Sequence, residues 1–417
     1  MHRTPRTAVL AAAVLAVAPV AYGQTADPTP TYSPFSLTGP SSNRVDIVFI
    51  GDGYTAGQSA IYDGHVGETV DYMFGNRLND PFMRYANFFN VHQVRVESQQ
   101  SGADDPNNNI FVNTALNASY NTGGTDRCLY FDTGLANDAV GAALAGTGID
   151  VDMKLGVVNS AKYGGCGGEW GVWAGANAAG KDIAIHELGH SFGRLQDEYT
   201  YGGPTVYGGP ERSFFVNVST TPETKWGEWY GYDDPYHNGA NGTYNISPVG
   251  AYEGGYYSEQ GIFRPTQDSM MRNLARPMNA VSREQVIFKI YEEVDPLDAF
   301  LDNASTLVNP EMLWVERIDA DVIDLDWFVD GVRVVDNDGD DELLLSELML
   351  SPGDYEITAV AQDSVLELAF TGQDYDWVRR NFDLLGQSVT WSVTLVPEPG
   401  ALSLALLGVP AVLRRRR

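Results

Sequence analysis

Residues 181–190 contain two histidines four positions apart, with a glutamate directly after the first, in the order His186-Glu187-x-x-His190. Residues four apart share one face of a helix, so both imidazoles can reach the same metal ion. Glu187 points to the side of that face, where its carboxylate is suited to holding a water molecule. The spacing therefore predicts a metal site with a general base next to it.

Two histidines do not complete a catalytic zinc site, which takes three protein ligands and keeps a fourth position open. Gly193 follows closely, and we expect it to end the helix in the left-handed conformation and fold the chain back over the metal. Gln196 comes next, and a neutral amide is a poor zinc ligand. The third ligand is then Asp197 or Glu198. We favour Asp197 because its side chain is shorter, with Glu198 as the alternative ligand or as a partner of a ligand histidine.

The elements that must position this site follow from the preceding sequence. Buried strands are expected at residues 45–50, 88–96 and 153–158, with helices at 55–75 and 135–144 between them. This alternation predicts a twisted mixed sheet with helices packed on it.

The segment 163–174 lies just before the histidines and is too rich in glycine for a central strand. We expect residues 170–174 to form a sheet edge that pairs with an extended peptide, although a plain loop with one exposed edge strand fits the composition as well.

Four segments resemble the bacterial metallopeptidase family named after an immunoglobulin A peptidase, and they occur in the order found in that family: residues 45–55, 163–168, 186–199 and 263–272. The resemblance implies an α+β fold with a metzincin-like catalytic domain, here residues 44–295, built on a twisted mixed sheet and an active-site helix. Cys166 stands where we expect a serine in that family, which bears on redox behaviour. Immunoglobulin cleavage does not transfer with the fold.

Carried onto this sequence, the resemblance implies His186, His190 and Asp197 as zinc ligands and Glu187 as the base. It also implies a methionine turn beneath the metal, at Met270 or Met271. His237 is a further candidate ligand, but a histidine in a polar loop is more often at the surface.

The function expected from these residues is that of a zinc endopeptidase acting on a protein or peptide in extended conformation. A water activated by the metal attacks the peptide bond, and Glu187 takes up its proton. The developing negative charge needs a further donor, and the candidates are Tyr199, Tyr256 and Tyr257. The alternative is a catalytically inactive surface or matrix binding protein on a peptidase-like scaffold, and the retention of Glu187 argues against it.

Beyond residue 305 the pattern changes to alternation of apolar and polar residues, as in Ile323, Leu325 and Trp327. This predicts a small Ig-like β-sandwich domain over residues 305–395. Acidic residues at alternating positions, Asp336, Asp338 and Asp340, resemble a calcium-binding EF-hand loop. The glycine of such a loop is missing, so we favour a solvated hairpin turn over a Ca²⁺ site.

Both ends of the chain have the character of targeting segments. Residues 1–23 are typical of a signal peptide, and residues 24–43 of a leader or linker. Residues 396–417, with Pro-Glu-Pro, an apolar stretch and four arginines, resemble the PEP-CTERM sorting signal of Gram-negative and related bacteria. We expect an exported protein, extracellular or on the cell surface, whose tail touches the membrane transiently and is removed by a sorting enzyme.

The charge balance of 26 basic against 55 acidic residues gives a net charge of −29 and argues against a nucleic-acid partner. Two cysteines exclude a disulfide-dense scaffold and a four-cysteine zinc module. Export would allow Cys128 and Cys166 to form a disulfide, but their positions in the sequence do not decide whether they meet.

Overall fold

A computed structural model of the chain describes residues 29–235, 244–334, 339–364, 366–368 and 374–397. The predictions for the signal peptide, for His237, for Asp336 and Asp338, and for the tail beyond residue 397 lie outside these residues. Asp340 is described, and its main-chain carbonyl accepts a hydrogen bond from the Trp327 indole at 2.8 Å.

The described residues form a mixed α+β protein, as predicted. The helices are α1 (Ser59–Gly75), α2 (Thr133–Ala143), α3 (Gly180–Ser191), α4 (Pro222–Lys225) and α5 (Ala280–Tyr291). The strands are β1 (Thr31–Ser36), β2 (Val45–Asp52), β3 (Phe89–Arg95), β4 (Met153–Val158), β5 (Gly165–Cys166), β6 (Gly171–Ala174), β7 (Tyr252–Gly255), β8 (Ser258–Arg264), β9 (Leu297–Phe300), β10 (Leu307–Val308), β11 (Met312–Arg317), β12 (Ile323–Val329), β13 (Val332–Arg333), β14 (Glu342–Leu344), β15 (Gly353–Asp363), β16 (Leu366–Leu368), β17 (Asp374–Asp376) and β18 (Gly386–Leu395).

A six-stranded mixed sheet organises the first part of the chain, in the order β1-β3-β2-β4-β6-β5. The four inner strands are parallel, and β1 and β5 run antiparallel to their neighbours at the two edges. Side chains of β2 alternate between two cores because successive residues of a strand face opposite sides. Phe49 packs in the core that contains residues of α1 and α3, and Val48 in the core that contains residues of α2.

The edge strand of the sheet beside α3 is β5. The prediction that residues 170–174 form a free edge is wrong, because β6 pairs with β4 on one side and with β5 on the other. Glycines allow the chain to fold back and add β5 as the outer strand. A Cβ atom on Gly165 would lie 2.4 Å from Ile183 and 2.7 Å from the carbonyl oxygen of Val172.

The second part of the chain contains a five-stranded sheet, β10-β18-β15-β12-β13, and a three-stranded sheet, β14-β11-β9. Their inward-facing side chains lie in one hydrophobic cluster, in which Trp327 and Trp391 stack with ring centroids 5.7 Å apart. The alternation predicted for residues 323–327 is therefore present. Strand β9 pairs with β11, so this layer begins between residues 295 and 305.

The two parts of the chain share a continuous core. The cluster that contains Phe49 also contains Trp391. Polar contacts cross the junction as well: the buried carboxylate of Asp363 accepts hydrogen bonds from the hydroxyls of Tyr85 and Tyr291 at 2.6 and 2.8 Å. Among the described residues, no helix has the length and apolar character needed to cross a membrane.

Candidate metal centre and active site

Helix α3 carries both histidines and the glutamate. One side of the helix is anchored in the core through Ala184 and Leu188, which are fully buried. His186 and His190 are one turn apart, and their rings lie nearly perpendicular with centroids separated by 4.8 Å. The helical spacing predicted from the sequence thus brings both imidazoles to one point.

Asp197 completes a group of three side chains. Each offers one ligand atom, and these atoms all lie within 4.8 Å of one another. The Oδ1 atom of Asp197 is 3.1 Å from Nε2 of His186 and 3.3 Å from Nε2 of His190, and the two Nε2 atoms are 3.2 Å apart.

The other nitrogen of each ring is held by the main chain. Nδ1 of His186 lies 2.9 Å from the carbonyl oxygen of Met270, and Nδ1 of His190 lies 2.9 Å from that of Leu195. A carbonyl oxygen only accepts, so each Nδ1 carries the hydrogen and each Nε2 presents a lone pair in the neutral ring.

The converging atoms are therefore acceptors, and a cation between them is the natural complement. The same preference for a cation shows in His190: burial lowers its pKa, but the hydrogen bond and charge of Asp197 outweigh burial and raise that pKa to about 9, so a proton and a metal ion compete for its Nε2 atom. Two imidazole nitrogens and one carboxylate oxygen are ligands that zinc accepts. The residues present fit a three-ligand zinc site.

The turn that delivers Asp197 differs in detail from the prediction. Gly193 is not left-handed, and the left-handed residue is Arg194, with φ of 51°. Gly193 is needed for close packing instead, because a Cβ atom there would lie 2.9 Å from the carbonyl oxygen of Gly189. The N–H of Leu195 donates to that same oxygen, which closes the turn.

Glu198 lies outside the ligand group. It is fully buried, and its carboxylate accepts hydrogen bonds from Ser269 at 2.7 Å, Asn217 at 3.0 Å and Asn279 at 3.1 Å. Burial raises its pKa. Its main-chain N–H donates to the carbonyl oxygen of Met271. Glu198 thus fixes the loop that carries Asp197.

Met270 and Met271 lie fully buried under α3. Met270 contributes the carbonyl oxygen that holds His186. The sulfur of Met271 packs against Gly189, where a Cβ atom would lie only 2.5 Å from it. The segment therefore supports the histidine helix through its main chain as well as through its side chains.

Glu187 faces the cleft beside the ligand group. Its Oε2 atom is buried and has no hydrogen-bond partner among the described residues. Burial raises the pKa of this carboxyl, against the opposing effect of the two histidines. Gly167, just after β5, makes room for it, because a Cβ atom at that position would lie 2.3 Å from Oε2.

The three candidate tyrosines have different positions. The hydroxyl of Tyr257 donates to Oδ2 of Asp197 at 2.5 Å, and that of Tyr199 accepts from Arg127 at 3.3 Å. Burial and the charge of Asp197 raise the pKa of both hydroxyls. Both residues line the cleft. Tyr256 is not among the residues lining it, and its hydroxyl accepts from Arg212 at 2.7 Å.

A cleft of about 720 Å³ is lined by the three candidate ligands, by Glu187 and by two of the tyrosines, Tyr199 and Tyr257. Cys128 and Cys166 line it and form a disulfide with Cα atoms 5.1 Å apart. The pairing that the sequence left open is thus made, at the edge of the candidate active site.

Residues 34–239 match the model of the IgA Peptidase M64 family. The match covers five strands of the six-stranded sheet and the end of β1, together with the His-Glu-x-x-His helix and Asp197. It supports the resemblance in sequence and, with it, a peptidase function for this candidate metal centre. No curated protein matches the chain.

Two roles at this candidate site were not found from the sequence. Asn217 bridges the loop by accepting from the N–H of Gln196 and donating to Glu198. The sequence suggests Tyr257 as an oxyanion donor, whereas its hydroxyl donates to Asp197, one of the three candidate ligands. No local pattern marks these roles, because the partners are more than 15 residues away in the chain.

Proposed function

We propose that this chain is an exported zinc endopeptidase with His186, His190 and Asp197 as ligands and Glu187 as general base. The observation that carries the proposal is the convergence of three acceptor atoms beside a buried carboxylate that has an unpaired oxygen. The family match over residues 34–239 points to the same class of reaction.

The chemistry divides between the ion and the side chains. A zinc ion, when bound, would supply a Lewis acid that acidifies water and polarises the scissile carbonyl. Glu187 takes a proton from the attacking water at its free Oε2 atom and returns it to the leaving amine. Its raised pKa favours the uptake step, because burial makes the protonated carboxyl less costly than the charged one.

The substrate is proposed to lie extended along the outer side of β5 beyond Gly165, whose N–H is already bonded to the carbonyl oxygen of Arg127 at 3.1 Å. This strand is the edge of the sheet, and Gly167 directly after it lies against Glu187. An extended peptide adds to such an edge through main-chain hydrogen bonds, which fix the register of the scissile bond.

Export is proposed from the signal-like amino terminus and the PEP-CTERM-like tail, on which a sorting enzyme would act. The disulfide between Cys128 and Cys166 fits an oxidising compartment, where such bonds persist. Membrane contact is then limited to the tail during export.

The test compares the purified protein with its Glu187→Gln variant. We expect the wild type to bind about one zinc ion and to cleave an unstructured protein, and the variant to keep its zinc while kcat falls at least about 100-fold. Metal analysis and gel-based cleavage assays measure both properties. Glu316→Gln changes an exposed glutamate on β11 and serves as the matched control.

The outcomes separate the alternatives. Zinc binding without cleavage by the wild type would favour the inactive binding protein. Protein that binds no transition metal at all would overturn the metal centre.

A further inference from the structure

We propose that Arg127 makes the cleft select peptides with an aspartate or glutamate side chain close to the scissile bond. This inference rests on the proposed peptidase function and names the substrate class of the same site.

Arg127 is fixed beside the substrate edge by its main chain. Its carbonyl oxygen accepts a hydrogen bond from the N–H of Gly165, in β5, at 3.1 Å. The next residue, Cys128, is joined by the disulfide to Cys166 in the same strand. The two connections hold the segment against β5 and occupy the edge at Gly165. A peptide that lies along the edge beyond this point passes close to the Arg127 side chain.

The guanidinium of Arg127 is available to a ligand. It is exposed, lines the cleft with Glu187, and donates one hydrogen bond, from Nη2 to the hydroxyl of Tyr199 at 3.3 Å. No carboxylate among the described residues forms a salt bridge with it. The adjacent Asp126 pairs with Lys162 instead, at 3.0 Å.

The charges that line the cleft favour an acidic substrate, although the chain as a whole has a net charge of −29. The acidic lining residues are Glu187 and Asp197, and both belong to the metal centre. The basic lining residues away from the histidines are Arg127 and Arg272, and Arg272 already donates to the carbonyl oxygen of Gln267.

A guanidinium with free N–H groups binds a carboxylate through two parallel hydrogen bonds, which an amide of the same shape cannot match. Replacement of glutamate by glutamine in the substrate removes the charge and keeps the size. The ratio of the two rates therefore isolates the contribution of charge. This ratio also cancels any effect that Arg127 has on Glu187, because such an effect is the same for both peptides.

The experiment uses the full chain loaded with zinc and a set of fluorogenic peptides. Each peptide carries glutamate, glutamine or lysine at one of three positions on either side of the scissile bond. We expect kcat/KM to favour glutamate about 10-fold at one position. Arg127→Ala should abolish this preference, Arg127→Lys should keep part of it, and Arg127→Glu should reverse it in favour of lysine.

Two controls make the result specific. Arg333→Ala removes one positive charge from an exposed residue of β13, and it should leave the preference unchanged. Binding of the glutamate and glutamine peptides to the Glu187→Gln variant, followed by fluorescence anisotropy, measures the same preference without turnover.

Cleavage without any preference for glutamate, or a preference that survives in Arg127→Ala, would overturn the role of Arg127 and leave the peptidase proposal standing. Loss of activity that is equal for glutamate and glutamine peptides would also overturn it, since that result indicates a general catalytic or structural role. If zinc-loaded wild type cleaves no peptide, the proposed function itself fails.

Discussion

At the scale of single residues, the centre depends on groups that do not touch the metal position. The carbonyl oxygens of Met270 and Leu195 orient the histidines, and the hydroxyl of Tyr257 orients Asp197. Tyr257 follows another tyrosine, and both residues have positive φ values, of 46° and 66°. The backbone of a residue other than glycine is strained in that conformation, and such strain is common at functional sites.

Tyr257→Phe removes the hydrogen bond to Oδ2 of Asp197 and leaves the ring in place. We expect zinc affinity to fall about 10-fold, because partners of metal ligands commonly contribute that much. Competition with a chelating dye measures the change. Tyr256→Phe is the matched control, since that hydroxyl bonds to Arg212. Equal losses in the two variants would contradict an orienting role for Tyr257.

The sequence predicts the residues of the centre only where geometry is local. Helical periodicity is enough to bring His186 and His190 together. The choice between Asp197 and Glu198 depends on the turn before them. The left-handed residue of that turn is Arg194, and an arginine does not predict a left-handed conformation as a glycine would. Residues that arrive from distant hairpins and loops, such as Tyr257 and Arg127, leave no spacing pattern to detect.

At the scale of elements, the short strand β5 and the glycine segment around it form the sheet edge beside Glu187. Apolar runs predicted the long strands β2 and β4 well, because buried parallel strands form continuous apolar runs. A two-residue strand has no periodicity, so the sequence assigned the edge to residues 170–174 instead. The reason for the glycines appears only in the structure, where other groups lie too close to leave room for a Cβ atom.

Gly167→Ala tests this contact. The new methyl group would lie 2.3 Å from Oε2 of Glu187, so the carboxylate or the strand must move. A displacement of about 1 Å at a catalytic group lowers rates roughly 100-fold, and we expect a loss of that order in kcat with zinc content unchanged. Steady-state kinetics and metal analysis measure the two quantities.

The control for this variant is Gly141→Ala in α2, where nothing lies within 4 Å of the added Cβ atom. It should keep full activity and gain slight stability, because alanine favours the helix. An active Gly167→Ala protein would show that Glu187 does not need its present position.

At the scale of the whole molecule, the excess of acidic residues affects stability where several of them lie close together. Asp152 is half-buried, and burial together with the charges of Glu293, Asp46 and Asp150 raises its pKa to about 7. The folded state therefore binds a proton that the unfolded state releases near pH 4. Stability should decrease as pH rises from about 4 to 7, because ionised Asp152 is unfavourable in the folded protein.

Asp152→Asn removes this penalty while its amide oxygen still accepts the hydrogen bond from the N–H of Asp46. Solvent screens the charge of a half-buried group, so we expect a modest rise in Tm of about 2 °C at pH 8 and a smaller one at pH 5. Differential scanning calorimetry at both values measures it. Asp383→Asn, at an exposed position, should change Tm little at either pH. A rise confined to pH 5 would contradict the assignment.

The continuous core predicts that the peptidase part does not stand alone. A chain that ends at residue 295 loses Asp298, whose carboxylate accepts from the buried guanidinium of Arg44 at 2.5 and 2.7 Å. It also loses Asp363, which accepts from Tyr85 and Tyr291. Removing the partner of a buried charge costs about 3–5 kcal/mol, against a total stability of about 5–15 kcal/mol.

We expect the truncated chain to be aggregated or unfolded, and the full chain to unfold in one transition by calorimetry and near-UV circular dichroism. A chain ending at residue 397 keeps both contacts and should behave like the full chain. A soluble fragment ending at 295 that binds zinc would show instead that the two parts fold independently.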